Sequence, residues 1–198
     1  MIPSRAMARL PRWLTTADAL TLLRLLAAPL FVLAVRAGSP LPASAIFALA
    51  AATDFADGRV ARARGESSAR GGFLDHAVDA VFVSSGAAAL ASVGALPVLL
   101  APLIAVAFLQ YALDSRLMRS SGLRASPLGR WNGIAYFVIV AIPVVRDALG
   151  LGWPGAGLVR ALGWALVAST LLSISDRLRL VARARGWSGA GRAARSPR

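Results

Sequence analysis

The chain contains no cysteine, which excludes a disulfide framework, a zinc–thiolate site and a thiol nucleophile. It contains no lysine either, so all 22 of its basic residues are arginine. With so much alanine beside it, that bias fits a GC-rich coding sequence, and no function is read from it. Charge as a whole is scarce, at 16% of residues against the ~25% of ordinary soluble domains. Acids number nine and histidine one. Hydrophobic residues take their place, making up 57% of the 198 and giving a mean hydropathy of +0.64. A disordered chain is excluded by that apolar content. A net charge of +13 would suit a nucleic-acid partner, but not alongside this much apolar sequence. No nucleic-acid partner is expected.

Long apolar runs separated by arginine clusters predict an all-α, polytopic membrane protein. The runs cover about Leu20–Val35, Leu41–Phe55, Phe73–Val93, Leu96–Leu113, Ile134–Val145 and Leu158–Ile174. Six transmembrane helices are therefore expected, several needing flanking residues to cross a ~30 Å hydrocarbon core. The first run has a basic flank but no small-residue cleavage site in a suitable polar context, and it reads as a span. Gly94–Pro97 breaks the third run from the fourth, and Gly150–Gly157 the fifth from the sixth.

Arginine placement predicts the orientation. Arginines cluster before the first run, between the second and third, between the fourth and fifth, and after the sixth, eighteen in all. Only Arg36, Arg146 and Arg160 fall on the opposite side. The positive-inside rule then puts both termini and the two basic loops in the cytoplasm, and an even span count agrees. Residues 1–186 read as one membrane domain. Residues 187–198 read as a basic, disordered, lipid-attracted tail.

Five of the nine acids lie between Asp54 and Asp79. Asp54 and Asp57 are three apart and Asp75 and Asp79 four apart, so each pair shares a helix face. With a short connection between the helices, four carboxylates can converge. Four anions need cations, and oxygen ligands select a hard divalent ion such as Mg²⁺ or Mn²⁺. The plainer reading pairs each acid with an interfacial arginine. It fails for Asp75 and Asp79, which stand in an otherwise apolar helix where acids are costly and usually functional. His76 is not needed where oxygen ligands suffice. Arg24, inside the first run, either reaches a phosphate or snorkels to the interface.

The window Asp54-x2-Asp57-Gly58-x2-Ala61-Arg62-x8-Gly71-x3-Asp75-x3-Asp79 resembles, at every fixed position and spacing, the signature of the CDP-alcohol phosphatidyltransferases. Leu20-Thr21-Leu-Leu-Arg24 with Pro29 is similar to that family's first-helix pattern. The chain departs from family usage at Ala17-Asp18, His76 and Ala80, none of them a fixed position. The resemblance implies a membrane enzyme of phospholipid biosynthesis. It would transfer a phosphatidyl group from CDP-diacylglycerol to a small alcohol, phosphorylated or not, and release CMP, at the cytoplasmic face of the cell membrane. It implies two Mg²⁺ or Mn²⁺ ions held by Asp54, Asp57 and Asp75 with Asp79 nearby, and Asp79 as the base for the acceptor hydroxyl. It further implies Gly58, Ala61, Arg62 and Gly71 around the nucleotide, and a homodimer. Arg116 and Arg130 are candidates for binding the acceptor, the plainer reading being positive-inside charge alone.

Other readings stand beside this one. A soluble CDP-alcohol could deliver its head group to diacylglycerol. From other classes come an ion-conducting protein, whose acids would be spread over membrane depth, and an inactive relative, which would be expected to lose a metal aspartate.

Overall fold

The computed structural model describes the backbone of residues 16–64, 69–121 and 127–193, with side chains over 21–56, 71–110 and 127–180. Six helices stand where the six apolar runs predict them: α1 (Thr16–Arg36), α2 (Pro40–Arg64), α3 (Ala69–Ser92), α4 (Leu100–Ser121), α5 (Pro127–Ala148) and α6 (Ala156–Ala193). Among the described residues there is no strand.

The helices overrun the apolar runs at their arginine-rich ends. α2 continues to Arg64, α4 to Ser121 and α6 to Ala193. Hydropathy marks where a helix meets an apolar medium, whereas alanine, leucine and arginine sustain helical backbone in either environment. Helical backbone consequently passes Trp187 into the stretch read as a disordered tail, with no proline before Pro197 to stop it. At the opposite end the fourth run begins too early. Leu96 and Pro97 belong to the turn before α4, and Leu96 is buried there, so its apolarity serves packing.

The three turns at that end are built alike. α1, α3 and α5 are each followed by a glycine of positive φ, at Gly38 (62°), Gly94 (77°) and Gly150 (63°). At the first, the Gly38 N–H donates to the Val35 carbonyl and the Ser39 N–H to that of Ala34. This is a Schellman cap, whose left-handed residue glycine adopts without steric cost. Short capped turns leave α1 with α2, α3 with α4 and α5 with α6 as packed neighbours.

Between helices the chain uses small residues. Ala28, Ala43, Ala50, Ala87 and Ala89 are all buried, which lets backbones approach closely where van der Waals contact, not water exclusion, drives association. One large cluster sits among them. Phe31 of α1 stacks on Phe82 of α3 at 5.4 Å between centroids, and both lie 6.0 Å from Phe47 of α2. Gly86 of α3 makes room for it, since a Cβ there would lie 2.7 Å from Phe31 Cε1 and 3.3 Å from Val140 Cγ1. Phe31 has no exposed surface, so it can give way only by displacing its packed neighbours. Gly86→Ala is therefore expected to destabilise the protein by about 1–3 kcal/mol, read as a lower thermal midpoint in detergent. An unchanged midpoint would show that the trio repacks freely.

The outside is as apolar as the inside. Leu26, Leu30 and Leu33 of α1 and Leu172 of α6 are all more than half exposed, which a water-facing surface would not sustain. Gly71–Ser92, Pro127–Ala148 and Ala156–Leu180 are each long and apolar enough to cross a membrane, and shorter apolar stretches occupy Pro40–Ala56 and Leu100–Gln110. The protein is a helical membrane protein.

A polar seam joins α5 to α6. Ser169 Oγ donates to Asn132 Oδ1 at 2.7 Å. Thr170 Oγ1 donates to the Leu166 carbonyl at 2.7 Å, which leaves the Tyr136 hydroxyl as the donor in its 2.9 Å bond to Thr170. These bonds set the rotation of α6 against α5, and with it the residues both helices present to the site.

Candidate active site

α1 packs against both α2 and α3, and its Arg24 joins their carboxylates. The Arg24 side chain has no exposed surface. Its Nη1 donates to Asp75 Oδ1 at 3.0 Å and to Asp79 Oδ1, and its Nη2 lies 3.3 Å from Asp54 Oδ1. Of the two alternatives foreseen for Arg24, snorkelling does not hold, since its side chain is enclosed among these carboxylates. A lone buried guanidinium would cost several kcal/mol, and these carboxylates offset that cost.

The three aspartates differ in depth. Side-chain exposure falls from 39% at Asp54 to 28% at Asp75 and 17% at Asp79. Asp79, one helical turn beyond Asp75, is the most enclosed. His76 sits beside them, and ligand atoms of Asp75, His76 and Asp79 all lie within 4.8 Å of one another.

This donor set fits a divalent ion. Bonds of ~2.0–2.6 Å place two ligands of one ion at most about 5 Å apart, which is the spacing seen. Three carboxylates and one guanidinium, taken as ionised, sum to a net charge of minus two among the described side chains. Oxygen donors suit Mg²⁺, and an adjacent imidazole is tolerated by Mn²⁺. His76 is the residue that sequence reasoning set aside. Its place next to Asp75 was the available signal, and only the packing shows its ring among the carboxylates.

A cavity of about 520 Å³ opens beside the cluster. Asp54, His76 and Asp79 line it, whereas Asp75 does not. Its inner wall is apolar, formed by Val83, Ile104, Phe108 and Phe137, and Gln110, Arg130 and Arg177 supply further polar groups. Gln110 Nε2 also donates to the Ile174 carbonyl at 3.3 Å, tying α4 to α6 along this wall.

Of the acceptor candidates, Arg130 lines the cavity. Arg177 lines it as well, though by sequence it counted only among the arginines after the sixth run. Ser173, Ile174 and Arg177 share one face of α6 and all three reach the cavity. That signal appears only once α6 is known to continue beyond Ile174. Gly71, in the first turns of α3, is partly buried. Asp57, Gly58, Ala61, Arg62 and Arg116 lie on helical backbone but outside the residues whose side chains are described.

Comparison with known proteins agrees with this arrangement. Residues 14–178 match the family model described as CDP-alcohol phosphatidyltransferase. Two relatives, both named probable phosphatidylglycerophosphate synthase, come from Mycobacterium tuberculosis strains CDC 1551 and H37Rv. Each is 31% identical over 175 residues, spanning 85% of this chain and 80% of the relative.

Proposed function

The chain belongs to the CDP-alcohol phosphatidyltransferase family and is thus a phosphotransferase enzyme of phospholipid biosynthesis; on that premise we propose that it moves a phosphatidyl group from CDP-diacylglycerol to a phosphorylated glycerol, releasing CMP. The observation that carries this reading is the convergence of Asp54, Asp75 and Asp79 beside a cavity that also presents Arg130 and Arg177. The relatives are named for making phosphatidylglycerophosphate, and paired arginines are the forks that bind a phosphate monoester.

In the reaction the acceptor oxygen forms a bond to the phosphorus carrying diacylglycerol, and the bond from that phosphorus to CMP breaks. Asp54, Asp57 and Asp75 would hold two Mg²⁺ or Mn²⁺ ions, with Asp79 beside them. Bound there, divalent ions would supply charge neutralisation for the pyrophosphate and a lowered pKa for the acceptor hydroxyl. Asp79, lining the cavity, takes the acceptor proton. Arg62 binds the pyrophosphate, while Gly58, Ala61 and Gly71 leave space for the nucleotide. Arg130 and Arg177 anchor the acceptor's phosphate, and Arg116 is a further candidate for it. The enzyme works as a homodimer.

The test is CMP release by purified protein with CDP-diacylglycerol and Mg²⁺, screened against glycerol 3-phosphate, glycerol, serine and inositol phosphates. Glycerol 3-phosphate should be strongly preferred, and Arg177→Ala should raise its KM at least ~10-fold with a smaller change in kcat, since charge-assisted bonds contribute about 1.5–3 kcal/mol. Equal use of unphosphorylated alcohols would defeat the acceptor assignment.

All six helices cross the cell membrane, with both termini and the active site in the cytoplasm. Support comes from the eighteen-to-three arginine bias and from the carboxylates lying at the ends of α2 and α3 that carry the basic loops. Reporters fused after Arg198 and inserted between Glu66 and Arg70 should both remain shielded from outside in intact cells. External labelling of either would overturn the topology.

A further inference from the structure

Arg24 belongs to none of the roles above. It is a fully buried cation on α1, far in sequence from the carboxylates it contacts, and it touches one acid of α2 and two of α3. Its charge stands amid the acids expected to hold divalent ions. Two cations in one place repel, and one guanidinium reaching three carboxylates also tethers three helices.

We infer that Arg24 is a positioning residue, a resident counter-cation that holds Asp54, Asp75 and Asp79 together in the metal-free protein and competes electrostatically with the ion that loads there. The inference rests on the metal-site reading of those aspartates. Without Arg24 the described cluster would hold three carboxylates with no cation reaching all of them, and their mutual repulsion would push α2 and α3 away from α1. With it the cluster is assembled before loading, at the expense of affinity, because each carboxylate already faces a positive charge. Arg24 and Thr21 are the buried polar side chains of α1 among the described residues, in a stretch otherwise apolar from Ala19 to Val35.

The experiment measures thermal unfolding of the detergent-solubilised full chain in EDTA and across a Mn²⁺ titration, with Mn²⁺ binding followed by electron paramagnetic resonance. Wild type, Arg24→Met and Arg24→Lys are compared. In EDTA, Arg24→Met should unfold at a clearly lower temperature than wild type, and Mn²⁺ should return most of that loss. Its half-saturating Mn²⁺ should fall at least ~5-fold, the factor that remains even when unit charges about 4 Å apart are screened as in bulk water. A ligand that binds only the native state stabilises it in proportion to that affinity, so the midpoint shift on Mn²⁺ addition should be larger too. Arg24→Lys, keeping the charge, should track wild type in both readouts.

An unchanged or weaker Mn²⁺ half-saturation in Arg24→Met would overturn the inference. So would an unaltered midpoint in EDTA, or failure to recover folded Arg24→Met even with Mn²⁺ present throughout, because the lost charge would then not be replaceable by a divalent ion. Absence of Mn²⁺ binding and of any midpoint shift in wild type would defeat the metal-site reading itself, which is a separate result.

Discussion

Asp75→Asn is expected to reduce CMP release more than ~100-fold while leaving the protein folded and inserted. Disturbing even an outer partner of a metal ligand costs ~10–100-fold in affinity or activity, and removing a ligand's charge should exceed that. The fold should survive for a specific reason. Asparagine matches aspartate in shape, and its Oδ1 can still accept the 3.0 Å hydrogen bond from Arg24 Nη1. Only the negative charge is lost, and a hard divalent ion depends on that charge. Asp54→Asn should behave similarly, since Asp54 also faces the guanidinium, through Nη2 at 3.3 Å. The measurement is turnover at limiting Mg²⁺, with thermal midpoint as the control for folding. EDTA should likewise stop the wild-type reaction, and Mg²⁺ or Mn²⁺ should restore it. Wild-type-like turnover of Asp75→Asn at low Mg²⁺ would remove Asp75 from the metal site, and undiminished wild-type activity after full chelation would remove the ions from the mechanism.

Asp79→Asn should be as damaging to turnover but differ in what survives. If Asp79 removes the acceptor proton, kcat should fall by about 10²–10⁴-fold, the usual contribution of a positioned base. Metal-dependent binding of CDP-diacylglycerol should remain nearly intact. The geometry favours this outcome over a purely ligating role, because Asp79 is the least exposed of the three acids and lines the cavity with Arg130 and Arg177, whereas Asp75 does not. A base must sit where the acceptor hydroxyl arrives, and the cavity is that place. The paired measurement is turnover beside CDP-diacylglycerol affinity at fixed Mg²⁺. Donor binding lost as completely as turnover would leave Asp79 as a fourth ligand and the base unassigned.

The all-helical class, the six helices and the nearness of Asp75 to Asp79 on one helix could all be read from the chain alone. Each depends on hydropathy or on spacing within a single helix, where the 3.6-residue period already decides which side chains share a face. Helix ends were less legible, since α2, α4 and α6 continue past their apolar segments and Leu96 serves a turn. Backbone hydrogen bonds within a helix are satisfied locally, so they do not stop where the surroundings cease to be apolar.

Relations between helices were decided only by the folded chain. Nothing in the order of residues assigns Arg24 to three acids on two other helices, puts His76 within ligand distance of Asp75 and Asp79, or aims Arg177 into the same cavity as Asp79. Those facts depend on how each helix is rotated about its axis against its neighbours. That rotation is set by side-chain fit, in the Phe31–Phe47–Phe82 trio seated at Gly86 and in the Tyr136–Thr170 and Asn132–Ser169 bonds between α5 and α6. Spacing along a helix is a one-dimensional property that the sequence by itself determines. The angle at which two helices meet belongs to the packing of many side chains at once, and tertiary structure alone decided it.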